Sequence, residues 1–329
     1  MKRITAILLL LLLFASCAAE ETLRQIYVMD SIADIRLPAE KEQLADEICK
    51  LLYEIDEELS SFDGEVSKIN KNGGGVLTHH IDSVLQNSIK LSEKTGGAFS
   101  PALGAVTELW GVGSENRVPE QTEIREVLRS TGIENIKIND GEIELLNGVR
   151  LNFGAVAKGY ASDKVRELLL RDNTEGTVVS LGGNVYVHGT KADGRKWNVA
   201  IRDPLGTSSD WIGSLELQNK FVISSGDYER FFEYNGMRYH HIMDPETGSP
   251  ADSDLLAVAV ICENGMMGDA YSTALYVMGC EEALKFWRAE RDFELILIRR
   301  DKTIILTEGI ADSFTPNSEK RYSYEIAYR

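Results

Sequence analysis

The sequence NFGAVAKGYASD, at residues 152–163, passes from an apolar stretch through small residues into a helical pattern. It predicts a strand over Val149–Phe153, a turn at the glycine, and a helix that continues to Leu170. Small side chains in the turn would let backbone groups approach a ligand closely, and Lys158 can meet an anion. An ordinary strand-to-helix turn is the simpler interpretation of this stretch taken alone.

On both sides of this stretch, helical and strand patterns are interspersed. Apolar residues at helical spacing predict further helices at Ala39–Leu59, Asp82–Lys94, Asp269–Met278 and Glu281–Arg291. Short apolar runs predict further strands at Ala33–Leu37, Ile136–Ile138, Ile143–Leu146, Thr177–Leu181, Val185–Val187, Trp197–Arg202, Leu215–Leu217, Phe221–Ser224, Leu256–Cys262, Leu295–Ile298 and Thr303–Leu306. Because regular βαβ alternation is missing, we expect an α+β fold in one domain over residues 17–329.

The composition restricts the partners. The chain has 329 residues, of which 43% are hydrophobic, enough to bury a substantial core. Its formal net charge of -17 repels nucleic-acid backbones, and its basic residues are scattered. We therefore expect no nucleic-acid partner. A small phosphorylated ligand would need individual cations, helix N-termini or a bound metal.

The first residues have the pattern of an export signal. Lys2 and Arg3 precede the apolar stretch Ala6–Phe14, which is too short to span a bilayer comfortably. The Phe-Ala-Ser-Cys sequence that ends at Cys17 resembles the lipobox of bacterial lipoproteins. It predicts a signal peptide over residues 1–16 and a lipid anchor on Cys17, so that the exported protein faces the periplasm or cell exterior and is held on a bacterial membrane by lipid alone. A cleaved signal peptide with an incidental cysteine is the alternative.

The other cysteines are Cys49, Cys262 and Cys280, which lie in apolar patterns without close pairing. Buried free thiols are therefore favoured over disulfides or a zinc site.

A second glycine-containing segment is SLGGN at Ser180–Asn184. Paired glycines in a strand mark a bulge or a place where a ligand presses on the backbone. The bulge is the simpler interpretation.

A third segment combines Ser224–Arg230 with Tyr239–Gly248, which contains the adjacent His240 and His241. An imidazole before the Asp-Pro turn can accept a proton from an attacking hydroxyl near neutral pH. An exposed histidine pair is an equally simple interpretation, and the same holds for the pair at residues 79–80 in a loop-like polar stretch.

The fourth segment is GDAYSTAL at Gly268–Leu275. Asp269 and Thr273 are four residues apart, so a helix places their oxygens on one face. Such ligands suit magnesium or calcium. A helix cap is the alternative for the aspartate.

The sequences of the four segments, and their order along the chain, resemble those of the ApbE family of flavin transferases. The resemblance extends from Met29 to about Gly279. It includes further segments at Tyr27–Ser31, Ser61–Phe62, Glu65–Asn70, Gly97–Pro101 and Leu109–Gly111. The resemblance implies a compact bilobal α+β architecture, related to the T-fold, with mixed and antiparallel sheets and packed helices.

The resemblance also implies an activity. Members bind FAD and Mg²⁺, cleave the FAD pyrophosphate, and attach FMN through a phosphoester to a threonine or serine of a target flavoprotein with release of AMP. The expected acceptors are extracytoplasmic flavoproteins, such as subunits of redox-driven ion-pumping complexes. A Mg²⁺-dependent FAD pyrophosphatase and a non-catalytic FAD-binding lipoprotein are the alternatives.

The resemblance implies individual site residues, each at a position of this sequence that matches a motif of the family. His241 matches the catalytic histidine of the family, whereas His240 has no such match. Metal ligands are implied at the side chains of Asp269 and Thr273 and the carbonyls of Ala155 and Ser272. Residues implied to line the FAD site are Met29, Phe62, Ala98, Phe99, Ser100, Asn152, Lys158 and Met243. Asn152 replaces a frequent aspartate, Met29-Asp30-Ser31 replaces Met-Gly-Thr, and the loop after Phe62 is shortened.

Overall fold

The computed structural model describes residues 21–329, so the predicted signal peptide and Cys17 lie outside the described residues. The helices of the described part are α1 Glu42–Leu59, α2 Glu65–Asn72, α3 His79–Lys94, α4 Gly104–Trp110, α5 Gln121–Val127, α6 Ala157–Arg171, α7 Gly265–Ala289 and α8 Glu308–Ala311. Short 3₁₀ turns occupy Ala39–Lys41, Leu128–Ser130 and Ile133–Asn135.

The strands are interspersed with these helices along the chain without regular alternation. They are β1 Glu21–Val28, β2 Ser31–Pro38, β3 Gly74–Val76, β4 Ile136–Asn139, β5 Glu142–Leu145, β6 Thr177–Leu181, β7 Asn184–His188, β8 Trp197–Arg202, β9 Trp211–Leu217, β10 Lys220–Gly226, β11 Phe231–Tyr234, β12 Met237–His240, β13 Met243–Asp244, β14 Ser249–Pro250, β15 Leu255–Cys262, β16 Phe293–Arg299, β17 Thr303–Thr307, β18 Phe314–Pro316 and β19 Ser323–Ala327.

A nine-stranded sheet in the order β1-β2-β6-β7-β10-β15-β16-β17-β19 forms the centre. All of its neighbouring strands are antiparallel except β17 and β19, which are parallel. Successive side chains of a strand point to opposite faces of a sheet. In β16, Leu295 and Leu297 therefore join one core while Ile296 and Ile298 join another. The predicted α+β class is confirmed.

The first face of this sheet is covered by helices. Ile48, Leu52 and Ile55 recur at helical spacing on α1 and are fully buried in the same core as Ile35 of β2. Helices α3, α6 and α7 contribute to the same core. The longest of them, α7, is bent at Gly279, which has the left-handed φ of 76° that glycine tolerates. Because the backbone of Gly279 is non-helical, α7 consists of two helical parts, and the two helices predicted on either side of this glycine are confirmed.

The second face is covered by the small sheet β18-β9-β8. Ile212 and Leu215 of β9 and Phe314 of β18 pack in one core with the side chains on the reverse of the central sheet. Strand β15 has both faces covered, and all eight of its residues are buried. A third, smaller core surrounds Trp110, whose indole Nε1 donates to the Gly248 carbonyl at 2.8 Å.

The predicted strand over Val149–Phe153 is wrong. This segment makes one bridge, between Arg150 and Leu103, rather than a ladder. The Asn70 side chain takes the place of a neighbouring strand, because its amide accepts from Leu151 N at 2.7 Å and donates to Leu151 O at 2.9 Å. A side-chain amide from another helix satisfies the backbone, so the extended segment needs no strand partner.

Two further predictions are corrected. Residues 79–80, predicted in a loop, form the first turn of α3, where the Thr78 side chain caps the helix by accepting from Ile81 N. Gly182 and Gly183 do not form a bulge. They are the two-residue turn of the β6–β7 hairpin, with Leu181 paired to Asn184 and φ positive at both glycines.

Two other features concern the cysteines and the bilayer. Cys49, Cys262 and Cys280 are free thiols, and burial raises the pKa of the Cys262 thiol to about 12. Cys262 is fully buried, whereas Cys49 and Cys280 are half-buried. From residue 21 onward, no helix combines the length and the apolar character that a bilayer crossing requires.

Candidate active site

Helices α6 and α7 meet at two glycines. A side chain on Gly159 would overlap the carbonyl oxygen of Gly265, and a side chain on Gly265 would overlap the carbonyl oxygen of Gly159. The backbones can approach this closely because neither residue has a Cβ. The contact brings Asp269, one turn after Gly265, against the first turn of α6.

The Asp269 carboxylate lies at the N-terminus of α6. Its Oδ2 accepts from Gly159 N at 2.9 Å. The side chain is only 4% exposed, and burial raises its pKa while the nearby positive charge of Lys158 opposes that rise. The buried carboxylate of Asp269 therefore has one oxygen bound to the N-terminus of α6 and lies near the positive charge of Lys158.

The amide of Asn184 completes the surroundings of this carboxylate. Asn184 follows the Gly182–Gly183 turn and is 2% exposed. Its Nδ2 has no hydrogen-bond partner among the described residues, although the side chain lies close enough to Asp269 to lower the pKa of that carboxyl. A buried donor without a partner costs free energy unless a ligand or water satisfies it.

Three hydroxyl groups connect α7 to β10. Ser225 Oγ lies 2.8 Å from Ser272 Oγ and 3.4 Å from Thr273 Oγ1. Ser272 Oγ donates in turn to the carbonyl oxygen of Asp269 at 2.9 Å. Ser272 is fully buried and Thr273 is partly exposed, so Thr273 is the member of the group that can reach a ligand.

The glycine turn lies between groups from three other segments. An added Cβ at Gly182 would overlap the Ser31 hydroxyl and lie 3.8 Å from Lys158 Cδ. One at Gly183 would lie 3.7 Å from Glu229 Oε1. Burial raises the pKa of Glu229 to about 7, and the charge of Lys158 moderates the rise. The β6–β7 turn therefore lies close to both Lys158 and Glu229, and the absence of side chains at its two glycines leaves room for them.

His241 is fixed through the carbonyl of Arg230. Its Nδ1 lies 3.2 Å and its backbone nitrogen 3.1 Å from Arg230 O. A carbonyl only accepts, so Nδ1 carries the proton and Nε2 keeps a free lone pair. Burial and the charges of Lys158 and Arg230 lower the pKa of His241 to about 3, which keeps the ring neutral at physiological pH.

The neighbouring His240 has a structural environment. Its Nε2 donates to Ala251 O at 3.1 Å, its Nδ1 accepts from Ile242 N at 3.3 Å, and its ring stands edge-on to Tyr276. Both ring nitrogens are thus used within the fold.

The Met29–Asp30 turn contacts Arg230, the residue whose carbonyl holds His241. Both residues have positive φ, 52° and 53°, in the hairpin turn between β1 and β2. Asp56 accepts from Met29 N at 2.9 Å, and the Arg230 guanidinium donates to Asp30 O at 2.8 Å. Backbone strain of this kind persists where surrounding contacts hold it. The turn and the residue that anchors His241 are therefore tied together.

Asn152 and Ala155 lie in the turn before α6. The Asn152 side chain accepts from Gly154 N at 2.8 Å and donates to Thr107 Oγ1 at 3.1 Å. Ala155 is partly buried two positions before the helix begins. The amide of Asn152 thus shapes the turn that carries the Ala155 carbonyl.

The remaining predicted FAD-lining residues have different exposures. Phe99 lies in the core on the helix side and Met243 in the core around Trp110, so both side chains are buried. Ala98 and Ser100 are half-buried, whereas Phe62 is 69% exposed on the loop before α2. Phe62 therefore offers the largest free apolar surface of this set.

Asp227 of the third segment lies elsewhere. It is buried, and its carboxylate accepts from Arg300 Nη2 at 2.8 Å. With His240 and Trp110 it lines a cavity of about 580 Å³. Asp227 thus serves a different part of the fold from Glu229, two residues further on.

The donor set at α6 and α7 is suited to a hard cation. It consists of one buried carboxylate, hydroxyls and backbone carbonyls, which are the oxygen ligands that magnesium prefers. Over residues 21–329 there is no group of three or more histidine, cysteine or acidic side chains arranged for a metal ion. A cation here would therefore take the rest of its ligands from substrate phosphates or water.

Sequence reasoning assigned no individual role to Ser225, Asn184 or Glu229. All three lie within the segments singled out by their glycines and polar residues. Their roles depend on contacts with α7, Asp269 and Lys158, which are distant in sequence. Their presence in those segments was the one available signal.

Comparisons with known proteins identify relatives of this chain. The sequence pattern of the ApbE family matches residues 29–297. A protein of Treponema pallidum described as FAD:protein FMN transferase is 33% identical over 299 residues, which cover 84% of this chain and 83% of the relative. One of Klebsiella pneumoniae with the same description is 30% identical, covering 88% of this chain and 92% of the relative. The crystal structure of the ApbE protein from Thermotoga maritima superposes with a TM-score of 0.79 at 31% identity, covering 91% of this chain and 98% of that structure.

Proposed function

This chain belongs to the ApbE family, and from that premise we propose that it is a Mg²⁺-dependent FAD:protein FMN transferase. The relatives described by this name support the activity. The observation that carries it is the geometry around Lys158: the charge of Lys158 acts both on the neutral His241, whose Nδ1 is held by Arg230 O, and on the buried Asp269.

The diphosphate of FAD would bind at the start of α6. Lys158 supplies a positive charge there, and the first turn of a helix of this length attracts anions. The unpartnered amide of Asn184 offers a further donor. Local groups of this kind are needed because the chain as a whole is strongly negative.

The metal would be held by the side chains of Asp269 and Thr273 with the carbonyl oxygens of Ala155 and Ser272. When bound, Mg²⁺ supplies charge neutralisation for phosphoryl transfer. The buried Asp269 keeps its carboxylate in place through Gly159 N, so the ligand is preorganised.

His241 would act as the general base. Its Nε2 takes the proton of the acceptor threonine or serine hydroxyl, whose oxygen forms a bond to the FMN phosphorus. The bond from that phosphorus to the bridging oxygen breaks, and AMP leaves. The negative charge of a bound diphosphate would offset the effect of Lys158 and raise the basicity of His241.

A transfer assay tests the proposal. Purified protein is incubated with FAD, Mg²⁺ and an acceptor flavoprotein, and covalent flavin is followed by gel fluorescence and mass spectrometry. We expect His241→Ala to reduce transfer by about 10²- to 10⁴-fold while FAD binding is kept. His79→Ala, on the exposed first turn of α3, is the control.

Each negative outcome has a distinct meaning. Normal transfer by His241→Ala would remove the histidine from the mechanism, and full transfer in EDTA would remove the metal. Free FMN and AMP with no labelled acceptor would indicate a pyrophosphatase, whereas bound but unchanged FAD would indicate a non-catalytic binding protein.

We further propose that the protein is exported and anchored by a lipid on Cys17. The basic residues, apolar stretch and cysteine at the N-terminus support this. The acceptors would then be extracytoplasmic flavoproteins, such as subunits of redox-driven ion-pumping complexes. A Cys17→Ser variant should lose palmitate labelling and leave the membrane fraction, and unchanged fractionation would contradict the anchor.

A further inference from the structure

A chain of hydroxyl groups runs behind the proposed metal ligands. It passes from Thr273 Oγ1 to Ser225 Oγ, then to Ser272 Oγ, and ends at the carbonyl oxygen of Asp269. Only Ser225 comes from outside α7, since it lies on β10. We infer that Ser225 is a positioning residue that turns the Thr273 hydroxyl toward the cation. This inference rests on the proposed metal site.

The direction of each hydrogen bond in this series of hydroxyl groups follows from the group at its end, the carbonyl of Asp269. The Asp269 carbonyl only accepts, so the Ser272 hydroxyl must donate to it. With its proton used, Ser272 can only accept from Ser225. Ser225 has then used its own proton, so it accepts from Thr273. The proton of Thr273 therefore points to Ser225.

This orientation matters because a neutral hydroxyl binds a cation through its oxygen lone pairs. A threonine whose proton is directed to β10 presents those lone pairs away from β10, on its partly exposed side. Hydrogen bonds behind a metal ligand fix its orientation and strengthen metal binding. Ser225 would do so without touching the cation.

Removal of Ser225 would release the Thr273 hydroxyl. A helical threonine then tends to donate to the carbonyl four residues earlier, which here belongs to Asp269. Ser272 would keep its bond to that carbonyl. The predicted defect is therefore specific to Thr273 and leaves the packing of α7 on β10 in place.

The test measures Mg²⁺ binding rather than turnover. MgCl₂ is titrated calorimetrically into protein saturated with FAD without acceptor, in a His241→Ala background that limits consumption of FAD. We expect Ser225→Ala to weaken Mg²⁺ binding about tenfold, the lower end of the effect of such supporting groups. FAD affinity without Mg²⁺ and the melting temperature should stay unchanged.

Two further variants sharpen the result. Ser224→Ala removes the hydroxyl of the preceding residue, whose side chain lies on the opposite face of β10, and should leave Mg²⁺ affinity unchanged. Ser272→Ala removes the acceptor of Ser225, and we expect it to weaken Mg²⁺ binding. The double variant Ser225→Ala with Ser272→Ala should be no weaker than Ser225→Ala alone, because the hydroxyls act in series.

The possible outcomes distinguish failure of the positioning role of Ser225, which acts through the hydroxyl relay Thr273–Ser225–Ser272, from failure of the proposed metal site. Equal Mg²⁺ affinity in Ser225→Ala and its parent would overturn the role of Ser225. So would parallel losses of melting temperature and FAD affinity, which indicate a packing role. If the parent protein itself binds no Mg²⁺ beside FAD, the proposed metal site fails, and the relay fails with it.

Discussion

Asp163 and Asp269 each cap the helix on which the other lies. Asp163 on α6 accepts from the backbone nitrogens of Gly265 and Met266 at 2.9 and 2.8 Å, at the start of α7. Asp269 on α7 accepts from Gly159 N at the start of α6. Both carboxylates are buried, so the two helices fix one another at the place where the candidate site lies.

Loss of the Asp163 cap should destabilise the protein. Asp163→Ala leaves two buried backbone N–H groups without partners, and we expect a loss of about 2–4 kcal/mol in the free energy of unfolding. Urea denaturation measures this. Asp82→Ala, an exposed position in the first turn of α3, is the control and should change it by less than about 0.5 kcal/mol. Equal effects at both positions would argue against the reciprocal cap.

A methyl group at the helix contact should damage both stability and the site. Gly159→Ala would overlap the Gly265 carbonyl and bring its Cβ within 2.8 Å of Asp269 Cβ. Overpacking of this kind costs about 1–3 kcal/mol, and separation of the helices should also weaken FAD binding. Thermal unfolding and FAD titration measure the two effects. Gly113→Ala, where the methyl meets open space, serves as the control for FAD binding alone, because the φ of +85° at this residue strains an alanine; it should leave FAD binding intact. Normal FAD affinity in Gly159→Ala would contradict the close contact.

The stability of the protein should depend on His241 below neutral pH. Its pKa is about 3 in the folded state against 6.5 for the free side chain, so the unfolded chain alone takes up a proton as pH falls below 6.5. Between pH 7.5 and 5 this costs the folded state about 2 kcal/mol. His241→Asn should lose less stability over that range, as measured by urea denaturation at each pH. The exposed His79→Asn should follow the parent, and an identical slope for His241→Asn would refute the shift.

The effect of Glu229 on the stability of the protein should depend on pH in the opposite direction. Its folded pKa of about 7 lies above the ordinary value of 4.5, so the unfolded chain releases its proton first as pH rises. The cost to folding builds between pH 4.5 and 7 and is complete above pH 7. Glu229→Gln should therefore be more stable than the parent by about 1–3 kcal/mol at pH 8 and equal to it at pH 4. A variant less stable at pH 8 would show that the carboxylate is needed in its charged form.

Local patterns in the sequence were sufficient to predict the helices and strands whose apolar residues recur regularly on a buried face. The spacing of Ile48, Leu52 and Ile55 predicted the helix that became α1, and the apolar run from Leu256 predicted β15. The pattern failed at β1, an edge strand whose polar and apolar residues do not alternate and whose side chains are mostly exposed or half-buried. It failed also at the short helix α2. Periodicity predicts an element only where burial selects the side chains of one face.

The sequence by itself singled out the four polar or glycine-rich segments, and the family resemblance assigned the proposed roles of Lys158, His241, Asp269 and Thr273 within them. The tertiary structure alone decided that Gly159 meets Gly265 and that Ser225 reaches α7. The physical reason is the difference in range. Spacing along a chain reports which face of one element is buried, whereas a hydrogen bond between residues 47 positions apart depends on how two elements pack.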